Sequence, residues 1–389
     1  MHKALRNGNE QGEGERGAAL ATVLVMVSVM SLLAITIVES ARFGIQRTAN
    51  QEQMDQSRWY LLGAEAYATS RINEYIEHAD NNSLDTSDWF GQTLTLPLDQ
   101  GAMQIGVKDG DNCFNLNGLG EQLEGGAVIA SESGQARMAR LLELQGVLDG
   151  RTLAVSLSDW IDTDSTPGLG GAEDDAYGGS SAAWLPANHL IADPSELRFV
   201  KGFDTSVISR LAPLVCARPM ALPNSISINT LRAEQAALLS AVVGRELPLS
   251  AAERIIRERP QGGWASVDQF LAHPNLFAIQ LSDATRAMFS LTPRWFVISI
   301  SVAYRDASET SVALINASGG HGRVVRRVFG ADARRSLLGV RFSLCCSGVK
   351  ARMRLSTGRA SVAVLAISCN GASWSRERRP RPARLLTPF

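Results

Sequence analysis

The sequence has few of the residues that build common catalytic sites. Among 389 residues there are only five histidines and five cysteines, and the histidines are scattered along the chain. There is no Gly-x-Ser-x-Gly, no Walker loop and no His-Glu-x-x-His motif, which are the signatures of many hydrolases, nucleotide-binding enzymes and zinc proteases. These absences argue against those enzyme classes and predict a protein with no catalytic activity and no small-molecule substrate.

The net charge of the whole chain is close to zero, but the charged residues are unevenly distributed along it. The formal charge is −1. Residues 318–389 contain 15 of the 38 Lys and Arg residues and only two acids, which leaves 23 basic and 37 acidic residues in positions 1–317. The chain therefore has an acidic body and a basic tail. With 45% hydrophobic residues, it is apolar enough to form a substantial core.

The longest apolar run, Ala18–Val38, contains 21 residues without a charge. As a helix it would span roughly 31 Å, the thickness of a bilayer core. Glu39 and Arg42 follow directly, so the run lacks the small-x-small site of an ordinary cleaved signal sequence. We therefore predict a single transmembrane helix over residues 18–48, with the bulk of the chain outside the cytoplasm.

Beyond this helix the pattern of apolar residues changes twice. Residues 89–109 contain alternating stretches typical of strands, residues from about 120 to 290 follow mostly helical periodicity, and strands return after Pro293. This order predicts an α+β fold in which a host domain is interrupted by a large α-helical insertion. The predicted regions are a leader (1–17), the transmembrane helix (18–48), the host domain (49–118 and 291–330), the insertion in two parts (119–222 and 223–290) and the basic tail (331–389).

Six acidic residues fall within 17 positions of a Gly- and Pro-rich stretch that contains no Lys or Arg. Carboxylates this dense repel one another unless they spread in solvent or a cation neutralises them. Oxygen ligands without His or Cys favour calcium over zinc. Numbered from Asp162, acids stand at positions 1, 3 and 12, but Thr166 and Pro167 occupy positions 5 and 6, so the stretch is not an EF-hand. A solvated acidic loop is the alternative. The six acids are Asp159, Asp162, Asp164, Glu173, Asp174 and Asp175.

Residues 224–272 resemble a helix-hairpin-helix repeat, a motif that often binds the DNA backbone. Such binders present glycine amides and basic residues to phosphate. Here the hairpin has a single glycine, Gly244, and a nearby acid, Glu246. The pattern favours a structural role in protein interactions, and we predict no nucleic-acid partner.

The start of the apolar run carries a resemblance to a known family. Gly17 stands directly before the run, after a short polar leader, as in the class III leader of type IV pilins and type II secretion pseudopilins. In those families a prepilin peptidase cuts after this glycine, which implies cleavage between Gly17 and Ala18. Thr22 occupies the fifth mature position, where most members have Glu. The minor pseudopilin K family of type II secretion typically lacks that Glu.

A second resemblance to the minor pseudopilin K family covers about residues 17–317 and rests on eight short strings in the same order. These are Cys113-Phe-Asn-Leu-Asn117, Ser158-Asp-Trp-Ile-Asp162, Gly170-Gly-Ala-Glu-Asp-Asp175, Pro186-Ala-Asn188, Ser195-Glu-Leu-Arg198, Val200-Lys-Gly202, Pro213-Leu-Val-Cys216 and Ile228-Asn-Thr230. The resemblance implies a pilin-like α/β domain interrupted by a large α-helical domain.

The same resemblance implies a function. The protein would be a minor pseudopilin at the tip of a periplasmic pseudopilus, needed for pseudopilus initiation and for export of folded proteins across the outer membrane. Its partners would be the I- and J-type minor pseudopilins, the pseudopilus, the prepilin peptidase and the inner membrane. A membrane-anchored, calcium-dependent periplasmic enzyme is the alternative. The resemblance also implies calcium as a cofactor, with Asp162, Asp164, Glu173 and Asp174 as the expected ligands and Asp159, Asp175 and Asn188 as further candidates.

Only two cysteines, Cys113 and Cys216, lie in the part of the chain that resembles the family. In an oxidising periplasm we expect them to pair, and two buried free thiols are the alternative. The other three fall in the Arg-rich tail, 331–389. A frameshift or read-through is the leading interpretation of this tail, and a basic contact with an anionic membrane or a nucleic acid is the alternative.

Overall fold

The computed structural model describes the backbone of residues 8–79, 90–178 and 185–330, and the side chains from Ala18 onward within these ranges. The predictions for residues 1–7 of the leader and for the basic tail, 331–389, concern residues outside this description. The predicted α+β fold is confirmed, with a long N-terminal apolar helix leading into mixed helix and sheet.

Helix α1, Gly8–Ala79, is a single helix of 72 residues. Residues 18–52 are exposed throughout, and within the described residues this is the one helix long and apolar enough to cross a membrane. The hydroxyls of Thr22, Ser28 and Thr36 each donate to a backbone carbonyl of the same helix at 2.8 Å. Hydroxyls satisfied in this way suit a helix surrounded by lipid.

The second half of α1 packs on a five-stranded antiparallel sheet. The strand order is β1-β2-β9-β10-β11, and the strands are β1 (Thr93–Leu98), β2 (Gly101–Asp109), β9 (Trp295–Tyr304), β10 (Ala307–Asn316) and β11 (Arg323–Phe329). Leu61, Ala64, Ala68 and Ile72 recur at three- and four-residue spacing and are buried against the sheet, as expected for one face of a helix. This helix half and this sheet form the host domain.

The insertion occupies residues 110–294, between the second and third strands of the sheet. Its core already includes Phe114, Leu116 and Leu119, so the structure starts the insertion earlier than the predicted boundary at residue 119. Phe114 lies in the two-residue strand β3, and Leu116 and Leu119 lie in the short 3-10 helix that follows it. Hydrophobic periodicity cannot show which core such short elements join.

The insertion is mainly helical, and its described residues also form three short pairs of strands. Its elements are β3 (Phe114–Asn115), β4 (Gly120–Gln122), β5 (Val128–Ala130), α2 (Glu132–Leu144), α3 (Gly150–Ile161), α4 (Asp174–Tyr177), α5 (Thr205–Leu211), β6 (Val215–Cys216), β7 (Ile226–Ser227), α6 (Ala236–Val243), α7 (Leu249–Arg257), α8 (Val267–Leu271), α9 (Pro274–Phe277), α10 (Asp283–Arg286) and β8 (Phe289–Ser290). Strand β3 pairs in parallel with β6, and β7 pairs in parallel with β8.

A disulfide joins Cys113 and Cys216, which lie at the ends of the β3–β6 pair with their Cα atoms 5.8 Å apart. It closes a loop across 103 positions of the chain. The disulfide links the start of the insertion, at Cys113, to the end of its first part, at Cys216.

Helices α6 and α7 form the hairpin predicted from residues 224–272. Gly244 ends α6 with φ of 114°, a conformation that L side chains rarely adopt. A Cβ atom at this glycine would lie 2.6 Å from a carboxylate oxygen of Glu246. A carboxylate therefore lies beside the glycine of this turn, and its negative charge would repel a phosphate there, which favours the structural interpretation of this hairpin.

Candidate metal centre

Helix α3 delivers the first acidic residues of the candidate site. Asp159 lies in its last turn, and Asp162 follows its last residue with an extended backbone (φ −69°, ψ 166°). Both side chains are buried, at 2% and 3% exposure. The chain then continues through the exposed Asp164 and returns to the same place at Glu173, which is 4% exposed.

Three carboxylates come together where this loop returns to the end of α3. Oxygen atoms of Asp162, Asp164 and Glu173 all lie within 4.8 Å of one another. No Lys or Arg occurs between residues 152 and 197, so the segment that carries these carboxylates supplies no positively charged Lys or Arg side chain of its own. Three converging carboxylates, two of them buried, make a strongly negative pocket.

Several oxygens in this pocket have no hydrogen-bond donor among the residues that the structure describes. They are Oδ1 of Asp162, both carboxylate oxygens of Glu173 and Oδ1 of Asn188, and all are buried. Leaving a buried polar oxygen without a partner is costly, and native proteins rarely do so. A cation held by the converging carboxylates of Asp162 and Glu173 would supply the partner that these oxygens lack.

Burial also changes the acidity of these groups. Desolvation, followed by repulsion from the neighbouring carboxylates, raises the pKa of Asp162 to about 7 and the pKa of Glu173 to about 7. A bound cation would reverse this effect, since it favours the ionised carboxylates.

Asp159 has a different environment. Its carboxylate accepts hydrogen bonds from the backbone N–H groups of Ala172 at 2.7 Å and Gly168 at 3.2 Å. A Cβ atom at Gly171 would lie only 1.8 Å from Asp159 Oδ2, so the loop approaches this carboxylate as closely as a glycine allows. Burial still raises the pKa of Asp159. The structure therefore places Asp159 as the group that folds the acidic loop back onto α3.

Asn188 reaches the pocket from the far side of the loop. It has a left-handed backbone (φ 47°), which asparagine tolerates better than most residues. Its N–H donates to the carbonyl of Trp160 at 3.1 Å, and its Nδ2 donates to the carbonyl of Asp164 at 3.2 Å. These bonds fix the amide and leave Oδ1 as a free acceptor.

Asp174 and Asp175 lie in the first turn of α4 and are exposed. Neither belongs to the group of three converging carboxylates, although the charge of Asp174 contributes to the raised pKa of Glu173. Ligation by these two residues stays a prediction.

The donor set fits calcium. It offers three carboxylates and one amide oxygen, all hard ligands, on a loop that returns to its starting point. Zinc would call for nitrogen or sulfur ligands, and the pocket has none among its described residues. The glycine contacts to Asp159 escaped the sequence interpretation, although the glycines at 168, 170 and 171 were the available signal.

Comparison with known proteins gives one consistent result. Two family models described as type II secretion system protein K match residues 112–220 and 226–292. These two matches cover most of the insertion, including the acidic loop and the hairpin of α6 and α7.

Curated relatives extend the similarity to the host domain. A "Type II secretion system protein K" from Pectobacterium carotovorum is 31% identical over 319 residues, which is 81% of this chain and 97% of the relative. Another from Klebsiella pneumoniae is 32% identical over 320 residues, with the same coverage of both chains.

Among solved structures, a chain of the GspK-GspI-GspJ complex from the type 2 secretion system of enterotoxigenic Escherichia coli is similar, with a TM-score of 0.62. The identity is 28%, and the match covers 73% of this chain and 99% of the other.

Proposed function

This chain belongs to the type II secretion system protein K family, and from that premise we propose that it is the minor pseudopilin at the tip of the type II secretion pseudopilus. In this role it initiates the pseudopilus and is needed for export of folded proteins across the outer membrane. It is held in the inner membrane by one span, with the bulk of the chain in the periplasm. Its role is assembly rather than catalysis.

The observation that carries this proposal is the construction of α1. The first half of the helix has an exposed apolar surface, and the second half forms the core of the host domain. A subunit built this way can stay in the bilayer or join a bundle of similar helices without unfolding. The prepilin peptidase would cleave between Gly17 and Ala18, so that the mature chain begins at the apolar run.

The tip position is supported by two features. In pilin-like fibres the Glu at the fifth mature position is thought to neutralise the terminal amine of a neighbouring subunit. Thr22 stands there, and its hydroxyl already donates to the carbonyl of Ala19. Burying an ionised amine beside this neutral residue would be costly. The insertion would also obstruct a subunit docking above.

The partners of this proposal are I- and J-type minor pseudopilins. The similar chain comes from a complex of GspK with GspI and GspJ, which supports the same kind of assembly here. The test is co-expression of the full chain with the I- and J-type subunits of its own secretion system. A stable complex of all three, together with loss of exoprotein secretion when this gene is deleted, is the expected result. Secretion that continues normally in the deletion strain would refute the role.

We also propose that calcium binds in the pocket of Asp162, Asp164 and Glu173, with Asn188 completing the set. The buried oxygens without donors support this ligand set. Calcium supplies positive charge there and no reactive group. These residues would hold the acidic loop against the end of α3 and so stabilise the insertion. Calcium titration followed by isothermal calorimetry tests the site, with Asp162→Asn expected to abolish binding.

A further inference from the structure

The place where the insertion meets the sheet contains a buried polar cluster. The chain leaves the sheet after Asp109 and returns at Trp295. Asp109 and Phe296 form the last pair between β2 and β9, and the N–H of Gly110 donates to the carbonyl of Trp295 at 2.8 Å. We call these two chain passages, together with the side chains that bridge them, the joint.

Asp111 connects the outgoing passage to the returning one. Its side chain is fully buried, and its Oδ2 accepts hydrogen bonds from the backbone N–H groups of Arg294 at 2.5 Å and Trp295 at 3.1 Å. A single carboxylate oxygen therefore holds two consecutive residues, Arg294 and the first residue of β9, where the chain returns to the sheet.

Arg218 neutralises this carboxylate and contacts both passages. Its Nη1 lies 3.4 Å from Asp111 Oδ1, and its Nη2 donates to the carbonyls of Gly110 at 3.0 Å and Asp111 at 2.8 Å. The guanidinium carbon lies 5.7 Å from the ring centroid of Trp295. Arg218 is itself only 3% exposed, so both members of this ion pair have lost their water.

The disulfide holds Arg218 in place. Cys113 lies two residues after Asp111, and Cys216 lies two residues before Arg218. The ion pair and the disulfide thus connect the same two segments. Within the insertion, the backbone N–H of Arg218 also donates to Asn115 Oδ1 at 2.9 Å.

We propose that Arg218 is the positioning residue of the joint, which holds the insertion in one orientation on the sheet, and that the Cys113–Cys216 disulfide keeps Arg218 in reach of Asp111. A buried carboxylate that loses its cation is strongly destabilised. Asp111 would then turn toward water and release the N–H groups of the returning strand. The insertion would keep its own core but move relative to the sheet. This role is independent of the metal centre and of the proposed function.

The experiment measures distances across the joint in the full chain in detergent micelles. Spin labels are attached through non-natural residues, which leaves the cysteines untouched. One pair, at Thr95 on β1 and Phe277 on α9, crosses the joint, and a second pair, at Ser206 on α5 and Phe277, lies within the insertion. All three positions are exposed. The variants are Arg218→Met and, as a matched control, Arg259→Met, whose side chain donates to backbone carbonyls inside the insertion.

Arg218→Met is expected to replace a single narrow distance across the joint by a broad distribution, while the distance within the insertion stays narrow. Arg259→Met is expected to leave the distance across the joint narrow. Reduction of the wild-type disulfide by a dithiol should cause the same broadening across the joint. In that reaction the dithiol gives up two electrons and two protons, the two sulfurs become thiols, and the dithiol becomes a cyclic disulfide. Reduction of the disulfide in Arg218→Met should not broaden the distance distribution across the joint any further, because both changes disrupt the contact between Arg218 and Asp111.

The proposal is overturned by a narrow distribution across the joint in Arg218→Met or in the reduced wild type. Broadening by Arg259→Met, or additive broadening by reduction and Arg218→Met, would equally show a general loosening instead of a specific joint. If Arg218→Met does not fold, Asp111→Asn and the reduced wild type decide the question by the same measurement.

Discussion

Arg327 on β11 donates two parallel hydrogen bonds to the carboxylate of Glu65 on α1, although 262 positions separate them in the chain. The bond from Nε to Oε2 is 2.7 Å long, and Nη2 contacts Oε1. The Glu65 side chain is buried, while about a third of Arg327 is exposed. The pairing raises the pKa of Arg327. This contact fastens the last described strand to the helix that carries the apolar span.

Replacing Arg327 with Met should destabilise the host domain, because it leaves the buried carboxylate of Glu65 without a partner. We expect a loss of about 2 kcal/mol in the free energy of unfolding, less than for a fully buried pair because water screens the exposed part of the arginine. Urea unfolding measures it. Arg323→Met, an exposed position on the same strand, is the control, and equal losses for both variants would contradict the prediction.

Calcium should raise the melting temperature of the protein. A ligand that binds only the folded state stabilises it by about 2.7 kcal/mol at a hundredfold excess over its dissociation constant. Chelation should remove this gain, and Asp162→Asn should make the protein insensitive to calcium. Asp175→Asn changes an exposed carboxylate of the same loop and should retain most of the response. An unchanged melting temperature on chelation would mean that the acidic loop is simply solvated.

The metal-free protein should become less stable as pH rises. The pKa of Asp162 and of Glu173 is raised to about 7 in the folded state, so the folded protein keeps protons that the unfolded chain has already released. The free energy of unfolding therefore falls as pH rises from about 4 through about 7, and it levels off only above the folded-state pKa. Excess calcium should oppose this fall. Urea unfolding at a series of pH values, once with chelator and once with calcium, measures both effects. If the free energy of unfolding depends on pH in the same way under both conditions, the result would argue against the calcium site.

The disulfide should contribute strongly to stability. In the chain-entropy model, closing a loop of this length contributes roughly 4.7 kcal/mol. The Cys113→Ser, Cys216→Ser double variant should lose about this amount in chemical unfolding. Mass spectrometry after alkylation without reductant provides the independent check, since labelling of both thiols in protein from the native compartment would show that the bond does not form there.

Gly171→Ala should disturb the acidic loop far more than Gly178→Ala. The new methyl group at residue 171 would collide with Asp159 Oδ2, whereas at residue 178 it would lie 3.7 Å from the nearest atom, an ordinary contact. We expect a loss of about 1–3 kcal/mol for the first variant, typical of a steric clash in a packed site, and weaker calcium binding. Equal calorimetric titrations of the two variants would argue against the contact between loop and carboxylate.

The sequence predicts those helices and strands that have a clear hydrophobic period or a clearly apolar composition. The apolar run and the strands after Pro293 are examples, and so is the helix over Ala236–Val243. Helix α3 lies within the stretch from about 120 to 290 that is predicted to be mostly helical, but its own bounds were not predicted. Residues 153–161 are buried on every side, so the polar residues among them do not mark a solvent-exposed face.

For the metal centre, too, the sequence pattern predicts only part of the arrangement. The sequence identified the acidic residues by composition, but composition does not separate their roles. Asp159 binds backbone N–H groups while Asp162 and Glu173 keep free oxygens, a difference that depends on how the glycines let the loop fold. The joint was not predicted at all, because Asp111, Arg218 and Arg294 meet only through the tertiary fold.

Because α1 is one continuous helix, a displacement of one half can be passed on to the other half. The helix contains no proline from Gly8 to Ala79, so the part that would lie in lipid and the part in the core of the sheet move as one rod. Raising the rod by one turn, about 5.4 Å, would lift the sheet by the same distance, and rotating it would turn the sheet with it. In the proposed role, a force on the sheet domain would therefore be transmitted along α1 to its apolar half.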